Sequence, residues 1–168
     1  RAPAAADEAH WDPAAGTVDE AAFVDADAVV HLAGAGIGDK RWTTLYKDEI
    51  RNSRIHGTTT IAEAVARHAY QVQVLVSGSA VGWYGDRGDD VLSESEPAGK
   101  GFLADLVHDW EAATEPASDA GVRVVKARSG IVLGPHGGAL GKMLPIFRFG
   151  LGGRLGSGNQ WMPWISID

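Results

Sequence analysis

Ser79 stands in Ser77-Gly78-Ser79-Ala80, where the apolar run VQVLVSGSA breaks into a Gly- and Ser-containing turn. Two other apolar runs end in the same manner, DAVVHLAG at Ala33 and Gly34, and VRVVKARSG at Ser129, Gly130 and Ile131. Parallel strands of a nucleotide-binding α/β sheet end this way, and such sheets bind ligands outside the carboxyl ends of their strands. Function is therefore expected at these three turns. Other chemistries fail on spacing. Gly34-Ala35-Gly36-Ile37-Gly38 and GLGGRLG from Gly150 do not make the G-x-G-x-x-G turn that delivers a pyrophosphate to a helix N-terminus. Gly78-Ser79-Ala80-Val81-Gly82 is not the G-x-S-x-G of a hydrolase elbow. The six His are dispersed, H-E-x-x-H is absent, and GDRGDD lacks the rest of a calcium loop, so no metal site is expected.

The elements that position these turns follow from periodicity. DAVVHLAG reads as a buried strand around Val29 and Val30, in which His31 alternates with buried positions as a core histidine. Helical spacing runs over 43–69, with Thr43 or Thr44 as N-cap, Leu45, Ile50, Ile55, Ile61 and Val65 recurring, and Gly57 as a point of bending. A second strand is predicted over 72–77, ending in a Gly-rich turn, and 86–100 reads as a polar loop. Phe102, Leu106 and Trp110, with Leu103 and Val107 beside them, give a second helix that Pro116 kinks or ends. A third strand over 122–127 completes β-α-β-α-β, which implies a parallel sheet with right-handed crossovers. Residues 1–25 suggest a short extended piece, an acidic turn and a short helix ending near Asp25.

Composition narrows the class. At 168 residues the chain fits one domain, and a domain of that size can bury roughly 70% of its unfolded surface. It has no Cys, which excludes disulfides, thiolate metal sites and a Cys nucleophile and makes a reducing cytoplasm the expected compartment. No run approaches the length of a membrane span, so the chain reads as soluble. A net charge of -7 with scattered basic residues argues against nucleic-acid binding. Nine of the 22 Gly fall between Gly134 and Gly158, interleaved with Met143, Leu144, Ile146, Phe147 and Phe149. Linkers lack such anchors, so this segment is expected to form a loop, a short helix and a loop over a ligand site.

The blocks SRIHGTT, SGSAVGWYG, DWEAA, RSGIVLGPHGGAL and GLGGRLGSGNQWMPWI resemble the extended short-chain dehydrogenase/reductase superfamily, and within it an atypical subgroup of the NAD-dependent epimerase/dehydratase family. The resemblance implies a Rossmann-like, doubly wound parallel sheet and one NAD(P)-binding domain over 1–168, incomplete at both ends. It also implies NADP or NAD as cofactor, a small carbonyl, hydroxyl or sugar-nucleotide-like substrate, and a homodimer. Carried over by position, Leu32, Ala33 and Gly34 match the turn whose backbone lies against the adenosine half of the cofactor. Ser77 and Gly78 belong to the same cofactor-side set. Ser79 matches the active-site Ser that hydrogen-bonds a substrate hydroxyl or carbonyl, a role suited to a group that donates and accepts without charge. Ser129, Gly130 and Ile131 match the segment passing the nicotinamide. Arg128, just before them, either joins the cofactor site or pairs with an acidic neighbour. Arg54 falls where ordinary members carry Asn, and either binds an anionic substrate group or pins the helix.

One departure bears on catalysis. Ordinary members carry Tyr-x-x-x-Lys on the helix after the Ser strand, the Lys assisting a Tyr that exchanges the proton. The aligned stretch GFLADLVHDWEAA offers only Phe102 with Leu106 or Leu103 with Val107. A proton would come instead from Tyr84, His108, His136 or a water held by Ser79. Tyr84, in the WYG turn near Ser79, is the favoured candidate, its alternative being a ring at the pocket wall. Under the Gly-rich cover, Lys142, Arg148, Gln160, Trp161 and Trp164 are candidate substrate contacts. The second functional reading is a cofactor-binding sensor or interaction protein that has lost the chemistry.

Overall fold

The computed structural model describes residues 3, 5, 7–154 and 156–167. A hairpin of β1 (Trp11–Asp12) and β2 (Thr17–Val18) leads into a 3-10 turn at Glu20–Phe23, capped by the Asp19 carboxylate on the Ala21 N–H. The expected short helix before Asp25 is thus a single 3-10 turn. There follow β3 (Ala28–His31), α1 (Thr44–Arg67) and β4 (Val74–Ala80), then a 3-10 turn at Val81–Tyr84. Next come α2 (Phe102–Ala112), α3 (Glu115–Asp119), β5 (Arg123–Ser129), β6 (Ile131–Leu133), α4 (Gly138–Arg148) and β7 (Trp164–Ser166).

Strands β3, β4 and β5 form a parallel sheet in that order, and β6 and β7 form a separate parallel pair. Because the order advances in one direction, two right-handed crossovers deliver their helices to the same face. Val29, Leu75 and Val124 stand in register across the three strands. They pack with Ala62, Ala64 and Val65 of α1, Ala117 of α3 and Phe23. On the opposite face of β3, Val30 is 63% exposed. Among the described residues no helix is long and apolar enough to cross a membrane.

Local chemistry sets the element ends. Thr43 caps α1, its hydroxyl accepting from the Tyr46 N–H at 3.2 Å. α1 runs unbroken through Gly57 rather than bending there. A Cβ at Gly57 would lie 3.3 Å from Trp11 Cζ2 and 3.5 Å from His31 Nε2, so the glycine lets α1 press onto the hairpin and β3. Pro116 neither kinks nor ends α2, which stops at Ala112; it opens α3, where a missing N–H costs nothing. The largest correction concerns β4. It continues past Ser77, the expected end, to Ala80, so Gly78, Ser79 and Ala80 are also strand residues and the turn begins at Val81. Likewise β5 reaches Ser129, and only Gly130 separates it from β6. Among small residues the parallel ladder to β5 outweighs the turn propensity of Gly78.

Candidate functional site

Ser79 is the penultimate residue of β4, 6% exposed, and pairs in register with Arg128 of β5. α2 brings Glu111 between them. The Ser79 hydroxyl donates to Glu111 Oε1 at 2.5 Å, while Arg128 donates from Nε to Oε1 at 2.8 Å and from Nη2 to Oε2 at 3.0 Å. Such a fork is the strongest form of guanidinium–carboxylate pairing. Arg128 Nη1 also donates to the Tyr84 hydroxyl at 3.2 Å and to the Glu94 carbonyl at 3.1 Å. Its guanidinium stacks 4.0 Å from the centre of the Trp83 ring. Burial alone would raise the Glu111 pKa, but the hydrogen bonds from Arg128 and Ser79 and the charges of Arg128 and Lys126 outweigh it and hold the carboxyl below its ordinary value. Arg128, mainly through Glu111, is held more firmly cationic than a free arginine. Val81, Tyr84, Leu92, Glu94, Lys126 and Arg128 line a cleft of about 450 Å³ beside this assembly.

Of the two readings of Arg128, the geometry displays the pairing with an acidic neighbour. The sequence reading did not single out Glu111 as a site residue. A signal was present: Leu103, Val107 and Glu111 recur every fourth residue, which sets an acid on the apolar stripe of α2 where burial requires a cationic partner. Of the positions aligned with the usual Tyr and Lys, Leu106 and Val107 are packed in the interior, each 2% exposed, whereas Phe102 is half-buried and Leu103 is exposed. His108 is exposed on α2, and His136 is exposed in the loop before α4.

Other candidates are placed apart. Ser77 is fully buried and its hydroxyl donates to the Gly78 carbonyl. A Cβ at Gly78 would meet Trp110 Cζ2 at 3.1 Å, and Trp110 in turn donates to Thr58 Oγ1 at 2.9 Å, which ties α2 to α1. Leu32, Ala33 and Gly34 follow β3 as irregular backbone, with Leu32 71% exposed. Arg54 donates to the carbonyls of Ala35 and Ile50 and stacks on Trp110, pinning α1 to the loop after β3. Burial lowers its pKa. Lys142 of α4 donates to the Gly38 carbonyl and to Asp39, Trp161 donates to Asp89, and Gln160 accepts from Ser157 at 3.5 Å. Arg148 is exposed in the last turn of α4. Among the described residues no group of three or more His, Asp or Glu is placed to hold a metal ion.

The profile of the NAD dependent epimerase/dehydratase family matches residues 10–168. An epimerase family protein of Mycobacterium bovis is 50% identical over 168 residues, all of this chain and 55% of that protein. The crystal structure of a nucleoside-diphosphate sugar epimerase from Corynebacterium glutamicum superposes with a TM-score of 0.80 at 42% identity, over 94% of this chain and 32% of that one. The human epimerase family protein SDR39U1, crystallised with NADPH, superposes with a TM-score of 0.77 at 40% identity, over 84% of this chain and 48% of that one. This chain therefore spans about half or less of each. A parallel sheet with its small residues gathered at the carboxyl ends, and a family match over nearly the whole sequence, lead to one assignment: the chain belongs to the NAD-dependent epimerase/dehydratase family and has its Rossmann-like α/β fold.

Proposed function

We propose that the protein is an NAD(P)-dependent oxidoreductase or epimerase-like enzyme acting on a small carbonyl, hydroxyl or sugar-nucleotide-like substrate, with Ser79 and Tyr84 at the reacting group. The observation that carries this reading is the chain of hydrogen bonds from Ser79 through Glu111 and Arg128 to Tyr84, built at the carboxyl ends of β4 and β5 beside an open cleft. A buried carboxylate linking two hydroxyl side chains exceeds what packing alone requires.

The residues present fit part of a dinucleotide. Leu32 leaves an apolar side chain 71% exposed just past the carboxyl end of β3, beside the glycine at position 34, where a planar ring can rest. Leu32, Ala33 and Gly34 would lie against the adenosine half, and Ser129, Gly130 and Ile131 against the nicotinamide. When bound, the cofactor supplies a hydride donor or acceptor. The glycines that lead into α2 (Gly99 and Gly101) and α4 (Gly134 and Gly137) lack the G-x-G-x-x-G spacing that delivers a pyrophosphate to a helix N-terminus, so we assign Leu32, Ala33, Gly34, Ser129, Gly130 and Ile131 to the ring ends of the cofactor. Tyr84 accepts from Arg128 and keeps its own proton to donate, which suits it to protonating a substrate oxygen.

The test is a fluorescence titration with NADPH and NADH, followed by turnover assays with dicarbonyl and sugar substrates. Saturable binding with turnover, lost in Y84F and S79A, is expected. No binding of either nucleotide would sink the reading. The second reading, a cofactor-binding sensor without catalysis, draws on the apolar residues at the usual Tyr and Lys positions. It predicts saturable binding and hydride transfer no faster than background.

A further inference from the structure

We propose that Glu111 sets the polarity of Ser79, so that the site takes a ligand hydroxyl, and not a ligand carbonyl, at that side chain. The inference rests on the placement of Ser79 at the reacting group. Glu111 receives both donors of the Arg128 fork and is 4% exposed. A carboxylate so paired is ionised and can only accept. Its Oε1 lies 2.5 Å from Ser79 Oγ, so the single proton of the Ser hydroxyl points at Glu111. What Ser79 offers in other directions is lone pairs. A carbonyl oxygen brought to it would set acceptor against acceptor, whereas a hydroxyl would donate.

The arrangement cannot easily relax. Arg128 is held by Tyr84, by the Glu94 carbonyl and by the Trp83 ring, so it has little freedom to leave Glu111 and release the Ser proton. Tyr84 has the opposite polarity, since its oxygen accepts from Arg128 and its proton remains free to donate. One hydrogen-bonded chain therefore ends in an acceptor at Ser79 and a donor at Tyr84. The ligand class this matches is a hydroxy compound carrying an acceptor oxygen nearby, such as a polyol or sugar. Glu111 is a positioning residue here, acting only through Ser79.

Cyclohexanol and cyclohexanone, matched in shape, test the polarity when titrated by ligand-observed NMR, with and without saturating NADPH. The unmodified protein is expected to bind the alcohol at least about tenfold more tightly than the ketone, the penalty for an unmatched buried acceptor. In Ser79→Ala, which leaves both Glu111–Arg128 bonds in place, the ratio should fall to near one. In Glu111→Ala, which removes the acceptor and frees the Ser79 hydroxyl to turn its proton outward, the ratio should likewise fall toward one, while Glu111→Asp should keep its original sense. Equal binding, ketone preference, an unchanged ratio in Ser79→Ala, or no alcohol binding up to its solubility would each overturn the proposal. Alcohol preference in a protein that binds no NADPH would remove the oxidoreductase reading and leave this one standing. NADPH binding without alcohol preference would do the reverse.

Discussion

At Glu111, burial and ion pairing pull in opposite directions, and pairing wins. Burial raises its pKa, the Arg128 and Ser79 hydrogen bonds lower it, and the carboxyl ends below its ordinary 4.5. A group whose folded pKa is depressed contributes stability that is fully present above the unfolded value and is lost as pH falls through the folded one. The protein should therefore lose stability as pH drops below 4.5, the ordinary value for Glu111. Glu111→Gln should lack that part of the slope and should be destabilised at neutral pH by roughly 3 kcal/mol, because Arg128 keeps its charge without its partner. Urea unfolding at stepped pH measures both, and parallel curves for the two proteins would refute the assignment. Gly78 carries a second residue-scale expectation. A Cβ there would sit 3.1 Å from Trp110 Cζ2 and 3.4 Å from the His31 carbonyl, so Gly78→Ala should lower stability by about 1–3 kcal/mol through overpacking. Unchanged urea midpoints would show that Trp110 yields freely. The family resemblance set Gly78 on the cofactor side, while the close approach that its lack of a side chain permits inside this chain, to Trp110, was not legible in the sequence.

At the scale of elements, legibility followed the strength of local periodicity. The first helix was read over 43–69 and is Thr44–Arg67, since its apolar spacing and its Thr43 cap both act within a few residues. Thr43→Ala should cost about 1 kcal/mol by removing the cap on the Tyr46 N–H. Thermal unfolding reads this directly, and a midpoint unchanged from the parent would show that solvent replaces the cap. The end of β4 was read three residues short, at Ser77 instead of Ala80, because Gly78 and Ser79 have turn propensity and the ladder that overrides it is made with β5, each pair 49 residues apart in sequence. Glu111 was missed for the same reason. Its partner Arg128 is 17 residues distant, and only the crossover that lays α2 over the end of β4 and β5 brings them together.

For the whole molecule, the alternation of strand and helix was enough to give the parallel sheet, because crossover handedness leaves few ways to arrange three such strands. The glycine-rich segment was less legible. It contains the expected short helix, α4, yet no residue of that helix is buried, and Phe147 and Phe149 are 55% and 80% exposed. Besides the packing of α4 on β6, Lys142 hydrogen-bonds to Gly38 and Asp39, and just past the segment Trp161 hydrogen-bonds to Asp89. With side chains 57% and 62% exposed, the Lys142–Asp39 pair lies in high dielectric, and such a pair contributes at most about 1 kcal/mol. That is a small share of global stability but a large share of what holds α4 to the loop after β3. Lys142→Ala should therefore speed hydrogen exchange in Gly138–Arg148 and the 37–42 loop by up to about fivefold. The sheet, built on the apolar cluster around Leu75, should exchange as before. High salt should shrink the difference, since exposed charges are screened over about a Debye length. Uniform acceleration across α1 and β4 would mean instead that the glycine-rich segment is coupled to the core, and that this tie stabilises the whole sheet.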